Sequence, residues 1–506
     1  MPPTFTYPGV YIEELSSGVH TITGVATSIA AFVGWAPKGR TDVATKVLSF
    51  SDFVRQFGGL SSGNYLGYAV NQFFDNGGQQ AYIVRLAWTD AATATATVGG
   101  TLVLFASSPG LWGTDLQVSV TLQIADPSRF QVQVSSKASG QVLESFANLS
   151  ATTSDPQYVV TVIDAESDLI TFIDPATQVA GTPVGPPVNT PPVQLLGGLD
   201  GTVLKPNDGN FETAMTANPD AGVFLLDRVD IFNLLCVPAE TDGPTLSALQ
   251  KYCHDNRAFL IVDAPQTAKV SSLSASGPVG STPGSLTGQF AMNSAYYFPW
   301  VQAPDPLAKN RPALFPPCGF VAGIYASTDS TRGVWKAPAG IDASLTGVSG
   351  LQYVLTDLEN GDLNPQAINC LRAFNVYGDV VWGARTLAGN DQTGSEWKYV
   401  PIRRLALFIE SSLYNGTQWV VFEPNDERLW SQIRLNVGAF MQGLFLQGAF
   451  QGTTPQKAYF VKCDAENNPQ SSIDLGVVNI LVGFAPLYPA EFVVIQIQQM
   501  AGQLQA

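Results

Sequence analysis

Histidine is nearly missing from this chain of 506 residues, occurring only as His20 and His254. Neither has a second ligand at zinc spacing, so no metal site is expected and none is assigned. His254 is followed by Asp255, but no Gly-x-Ser-x-Gly elbow accompanies the pair, and His254 reads better as a residue near a helix end, where a cation is welcome. Carboxylates are numerous yet scattered, and no hydrolytic pair stands out. No catalytic residue and no cofactor are therefore assigned, and no enzymatic activity is expected. Cysteine is sparse and unpaired in spacing (Cys236, Cys253, Cys318, Cys370 and Cys463), which reads as reduced core residues. Charge is low as well: 13% of residues are charged against 45% hydrophobic. Surfaces so poor in charge are often covered by partners, which points to an assembly subunit, although an ordinary Gly/Thr-rich β protein shares this composition. Basic residues are the minority, 25 against 41 acidic, and the net charge of −16 opposes direct contact with nucleic acid or an anionic membrane. The one Lys/Arg cluster is Arg403-Arg404. Met1-Pro2-Pro3 is no signal-peptide start, so the chain is expected to stay in the cytosol, out of reach of glycosylation at Asn148-Leu149-Ser150 or Asn415-Gly416-Thr417. The best candidate for a membrane span, 477–497, is broken by Pro486, Pro489 and Glu491, so no membrane insertion is expected.

A chain of this length holds two to four domains with cores of their own. At its start, Val10, Ile12 and Leu15 alternate with Tyr11 and Glu13, as in a detached β-strand; a frayed terminus is the competing reading. A buried-type strand over 28–33, a short helix capped by Ser51, a helix over 65–75 and a strand over 81–86 imply a parallel α/β layer. From Ala91 the composition turns to Thr, Ala, Ser, Val and Gly. Strands are expected over 116–124, 130–134 and 158–163, in an all-β insertion closed by the proline-rich stretch 175–192. Strands over 231–238, 258–265 and 296–302, with a helix over 245–253, resume the α/β pattern.

The stretch from Arg332 to Asp426 is the most informative. Asn364-Pro365 reads as the start of a helix with Ile368, Leu371 and Phe374 on one face. Pro401 opens another, with Leu405, Phe408, Ile409 and Ser412 inward and Gly416 as its stop. Residues 417–422 read as a buried strand. Asn425 caps a long helix to about Gln447, with Leu429, Ile433, Val437, Phe440 and Leu444 along one side. Strands are expected over 459–463 and 477–484. The last segment, 491–499, reads as a strand with Phe492, Val494 and Gln496 on one side and Val493, Ile495 and Ile497 on the other.

Several phrases here, Arg332-Gly333-Val334-Trp335-Lys336-Ala337-Pro338, Gly383-Ala384-Arg385-Thr386-Leu387, Glu396-Trp397-Lys398-Tyr399-Val400 and Trp419-Val420-Val421-Phe422-Glu423-Pro424-Asn425, resemble the C-terminal domain of the contractile tail sheath family. That family builds the sleeves of phage tails, R-type pyocins and extracellular contractile injection particles. The opening agrees, with Tyr7-Pro8-Gly9-Val10-Tyr11-Ile12-Glu13-Glu14 and then Phe32-Val33-Gly34-Trp35-Ala36-Pro37-Lys38-Gly39. The resemblance covers residues 7–90 and roughly 200–500, whereas 91–199 matches nothing recognisable.

Residue pattern and resemblance together lead to the expectation of a multidomain mixed α/β protein: an N-terminal arm (1–20), a discontinuous α/β middle domain (21–90 plus 200–335), an inserted β-rich outer domain (91–199), a C-terminal α/β sheath domain (336–490) and a C-terminal arm strand (491–506). The implied function is a structural subunit that polymerises helically around an inner tube and contracts to drive it through a target membrane. The implied partners are neighbouring copies, the inner tube, baseplate and tail-cap proteins, and sister sheath paralogues. Assembly would take place in the bacterial cytoplasm, before the subunit becomes part of a phage tail or a tail-like particle. The arms would add strands to sheets of neighbouring subunits through Tyr7, Pro8, Gly9, Val10, Tyr11 and Ile12 at one end and Phe492, Val493, Val494, Ile495, Gln496 and Ile497 at the other. Within one chain the two ends could instead pair with each other.

Two other classes compete. Gly34-Trp35-Ala36-Pro37-Lys38-Gly39-Arg40-Thr41 nearly spells a phosphate-binding P-loop after a strand, which would make the protein a nucleotide-using enzyme. Arg40 stands where the lysine belongs, however, and no helix is expected to open there. The third class is a monomeric binding module.

Overall fold

The computed structural model describes residues 20–178, 180–181, 185–278 and 285–496. The described residues form two compact units, a larger one within 26–407 and 489–496 and a smaller one of residues 20–25 and 408–488.

The larger unit is built on an eight-stranded sheet. In spatial order its strands are Gly378–Val381, Ile368–Phe374, Ser294–Phe298, Phe259–Asp263, Leu234–Cys236, Ala30–Trp35, Ala81–Leu86 and Thr45–Val47. The six inner strands run parallel and the two edge strands antiparallel. The sequence explains the burial: Ala-Ala-Phe-Val-Gly-Trp and Phe-Leu-Ile-Val-Asp are apolar at odd and even positions alike, as a strand covered on both sides requires. One face packs Phe32, Ile83 and Tyr297 against helices Leu66–Asp75 and Cys318–Arg332. The other packs Val33, Val84 and Leu260 against helices Gly209–Thr216 and Gly243–Asp255. The first pair of helices approaches closely because Gly319 and Gly323 lack side chains: a Cβ at either would fall 2.5 Å from Ala69 O or Asn76 Cβ.

Several expected elements differ. Ile368–Phe374 is a strand, not a helix face; Ala367 turns left-handed (φ 63°) and the chain enters the sheet beside Ser294–Phe298. Residues 336–407 therefore contribute two strands to the eight-stranded sheet of the larger unit, and the compact units do not divide at 335/336. The cap of helix Phe50–Phe57 is Ser49, whose hydroxyl accepts from Asp52 N–H, not Ser51.

The insertion has a core drawn wholly from residues 94–195. Leu116–Leu122, Arg129–Ser136 and Val142–Ser150 form an antiparallel meander, joined at one edge by Thr190–Gln194. It is not all-β: Val159–Glu166 is a helix, because Val159 and Ile163, one turn apart, both point into that core. Its ends meet where Ala92 bridges Leu199.

In the smaller unit, the second half of helix Val400–Gly416 is followed by a single 3-10 turn, Gln418–Val420, where a strand was expected. Helix Glu427–Leu446 buries Leu429, Ile433, Val437, Met441 and Leu444. Its cap is Asp426, accepting from Leu429 N–H; neighbouring Asn425 instead accepts from Trp430 Nε1 at 2.8 Å. Strands Tyr459–Lys462 and Leu481–Phe484 form a two-stranded ribbon.

Candidate functional site

Near its C-terminus the chain is fastened at one residue. The Glu491 carboxylate accepts from Arg385 Nε (2.7 Å) and Nη2 (2.8 Å), from Asn364 Nδ2 (2.8 Å) and from the Tyr399 hydroxyl (2.9 Å). Such two-pronged guanidinium–carboxylate pairing fixes direction as well as distance. The Arg385 side chain is 1% exposed, and its main chain is bound in turn by Asn369, whose amide accepts from Arg385 N–H and donates to Arg385 C=O. Burial alone would raise the Glu491 pKa, but Arg385, Asn364 and Tyr399 outweigh it and hold it below the ordinary value. Burial and the same carboxylate push Tyr399 up to about 12.

Immediately beyond this clamp the chemistry reverses. Phe492 is 73% exposed and Val493, Val494 and Ile495 are each 80% exposed; none of 492–496 pairs in a strand with any described residue. Of the arm residues assigned from the sequence, Phe492, Val493, Val494 and Ile495 thus form an exposed apolar run, followed by exposed Gln496. Tyr7, Pro8, Gly9, Val10, Tyr11, Ile12 and Ile497 lie outside the described residues. The clamp itself was missed by sequence reasoning, since 106 positions separate its two charges and neither phrase hints at the other.

At the other end, residues 20–25 lie along the smaller unit. His20 stacks on Trp419 with ring centres 4.2 Å apart, Ile22 is buried against Gly416, and Val25 N–H donates to Ser412 Oγ. The chain is tied down just after the segment assigned as the N-terminal arm.

The ribbon Tyr459–Lys462/Leu481–Phe484 has no third strand among the described residues, so both outer edges are open. Phe460 and Leu481 stand half in solvent, while Phe450 packs beneath Tyr459 and Phe484. Two strands alone are marginal in water; three or more with an apolar face are stable.

The turn Gly34–Thr41 is not arranged to cradle phosphate. No helix follows it until Phe50. Gly39 N–H already donates to Ser108 Oγ, and buried Arg85 ties down the carbonyls of Ala36 and Gly39. Arg40 is paired with Asp42, and Lys38, its pKa lowered by burial, donates to Arg55 O and sits over the Trp112 ring. The adjoining cleft of about 710 Å³ is lined by Asp42, Glu144, Asp164 and Asp168 as well as Lys38, Arg40 and Arg55, so it offers a phosphate no excess of positive charge. Arg403 and Arg404 form no basic patch either: both are buried, Arg403 against Trp397 and Arg404 on Asp329. All five cysteines are buried and unpaired. Among the described residues no cluster of His, Cys, Asp or Glu could hold a metal, and no helix is long and apolar enough to cross a membrane.

Comparison with known proteins follows the same line. Residues 228–387 match the family model described as the phage tail sheath protein central domain, and residues 392–500 match the phage tail sheath C-terminal domain. A tail sheath protein of Vibrio phage KVP40 is 29% identical over 167 residues, 33% of this chain and 23% of that protein. A putative prophage major tail sheath protein of Pseudomonas aeruginosa strain UCBPP-PA14 is 26% identical over 278 residues, 53% of this chain and 66% of that protein. The matched part thus spans less than two thirds of each of these relatives. Among solved structures, the helical sheath of the anti-feeding prophage in its contracted state shares the fold, with a TM-score of 0.60 at 24% identity, covering 98% of this chain and 100% of that one.

Proposed function

Because this chain belongs to the phage tail sheath family, we propose that it is a structural, non-enzymatic subunit that polymerises as a helical sleeve around an inner tube. Shortening of the sleeve would drive the tube through a target membrane. The observation that carries the proposal is the exposed run Phe492–Ile495, which emerges from a buried ion-pair clamp and has no partner strand among the described residues of its own chain. Four consecutive apolar residues gain nothing in water, but they gain both burial and main-chain hydrogen bonds if they complete another copy's sheet. The open ribbon Tyr459–Lys462/Leu481–Phe484 is the acceptor of matching chemistry, with one outer edge for each arm. A strand given by one copy to a different surface of the next is a heterologous contact, which propagates as a helix instead of closing as a dimer.

Contraction then needs no nucleotide. The subunit bodies change neighbours while the arms keep the copies strung together, and the extended sleeve persists behind a barrier until its end is triggered. On this reading the partners are further copies of the chain, sister sheath paralogues, an inner tube and the baseplate and tail-cap proteins at the ends. Assembly takes place in the bacterial cytoplasm, and the product is part of a phage tail or tail-like particle.

The test is removal of residues 1–14. The truncated protein is expected to keep the parent's circular dichroism and melting midpoint and to form no tubes or rings by negative stain. Sleeves of normal appearance from the truncated protein would sink the arm reading.

A further inference from the structure

Helix Glu427–Leu446 has one anomaly just before its start and another at its middle. Just before its start, Phe422 is fully exposed (103%) and held at φ 70°, a left-handed conformation that bulky residues avoid and that accompanies binding sites. Its main-chain N–H and C=O bond to no described residue. The turn around it is otherwise well tied: Val421 N–H reaches Gln418 O and Glu423 N–H reaches Val420 O. The ring is therefore displayed on a fixed support.

In the second half of the same helix lies an apolar groove of about 510 Å³, lined by Thr23, Gly24, Phe408, Phe440, Leu444 and Asn436 among others. Asn436 is 3% exposed, yet neither its amide oxygen nor its amide nitrogen has a partner among the described residues. A buried amide left unpaired is costly, and a side chain with one donor end and one acceptor end suits the N–H and C=O of a peptide.

We propose that this groove receives Phe422 of a second copy of the chain. The ring enters between Phe408, Phe440 and Leu444, while the Asn436 amide accepts from the incoming Phe422 N–H and donates to its C=O. At 1.5 Å per residue the groove lies roughly 20 Å along the axis from the helix start, so knob and hole are different patches on one body. Their union is head-to-tail and repeats from copy to copy. The contact depends on the sleeve reading only in taking another copy as the neighbour; it uses neither arm.

Cross-linking tests it on the assembled full-length protein. The five native cysteines are buried, so thiols placed by Glu423→Cys, which keeps the Phe422 ring, and Ala439→Cys dominate the reaction with a mild oxidant. The expected result is a ladder of dimers, trimers and higher species on a non-reducing gel. In parallel, Phe422→Asp should leave the melting midpoint of the unassembled protein unchanged and raise the concentration needed for tubes about tenfold or more. Asn436→Leu should melt no earlier than the parent yet assemble less well, which a purely structural role for the amide would not give. If the parent forms tubes but the double variant Glu423→Cys with Ala439→Cys gives no ladder, or if Phe422→Asp tubes form at the parent's concentration, the contact is overturned and the arms are left standing. A ladder from Ile495→Cys with Ala439→Cys, but none from the first pair, would give the groove to the C-terminal segment and overturn it too. A parent protein that stays monodisperse at high concentration removes sleeve and contact together.

Discussion

Arg404 and Asp329 place opposite charges where water barely reaches, each side chain being 3% exposed. Arg404 meets both oxygens of Asp329 at 2.9 and 2.6 Å, donates to Thr27 O and lies 4.7 Å from the centre of the Tyr325 ring. Removing one member of such a pair strands the other, so Arg404→Ala should destabilise the protein by about 3–5 kcal/mol in denaturant unfolding. The double variant with Asp329→Ala should lose less than the sum of the two single changes. Glu491 makes the corresponding pH prediction. Its folded pKa lies below the ordinary 4.5, so its stabilisation is complete above 4.5 and disappears as pH falls through the folded value. The stability difference between the parent and Glu491→Gln in denaturant unfolding should therefore stay constant at neutral pH and shrink only in acid below that ordinary value. An equal difference at every pH would show that the Glu491 carboxylate does not supply it.

At the scale of elements, the ribbon makes the sharpest prediction. Phe460→Lys places a charge on a half-exposed ribbon position, a device that blocks strand addition. It should abolish tubes while shifting the melting midpoint of the unassembled protein little. The elements also explain what the sequence revealed. Strands such as Ala30–Trp35 and Phe259–Asp263 were legible because unbroken apolar runs bounded by turns leave few alternatives. Ile368–Phe374 was misread because Ile368, Leu371 and Phe374 satisfy helical spacing, and only the neighbouring strand Ser294–Phe298 decides for a ladder. Val159–Glu166 failed in the opposite sense, its valines suggesting a strand until the insertion's core selects Val159 and Ile163. The C-terminal run stood out as four consecutive apolar residues, Phe492 to Ile495, although its exposure did not. Nor did Asn436, since an Asn among apolar neighbours on a helix carries no sign of going unpaired.

The molecule as a whole adds the insertion to a sheet that does not need it. Its core uses only residues 94–195 and its two ends meet at the Ala92–Leu199 bridge. Replacing residues 93–198 by a short glycine linker should therefore leave a protein that still melts cooperatively and forms tubes, as read by calorimetry and negative stain. The knot at Glu491 has a mechanical meaning on the same scale. A tug on the last residues meets Arg385 first, and Arg385 hands the force through the Asn369 amide to Ile368–Phe374, a rib inside the eight-stranded plate. The rope is tied to a beam, so a pulled copy would stretch outside the knot while its plate kept its shape.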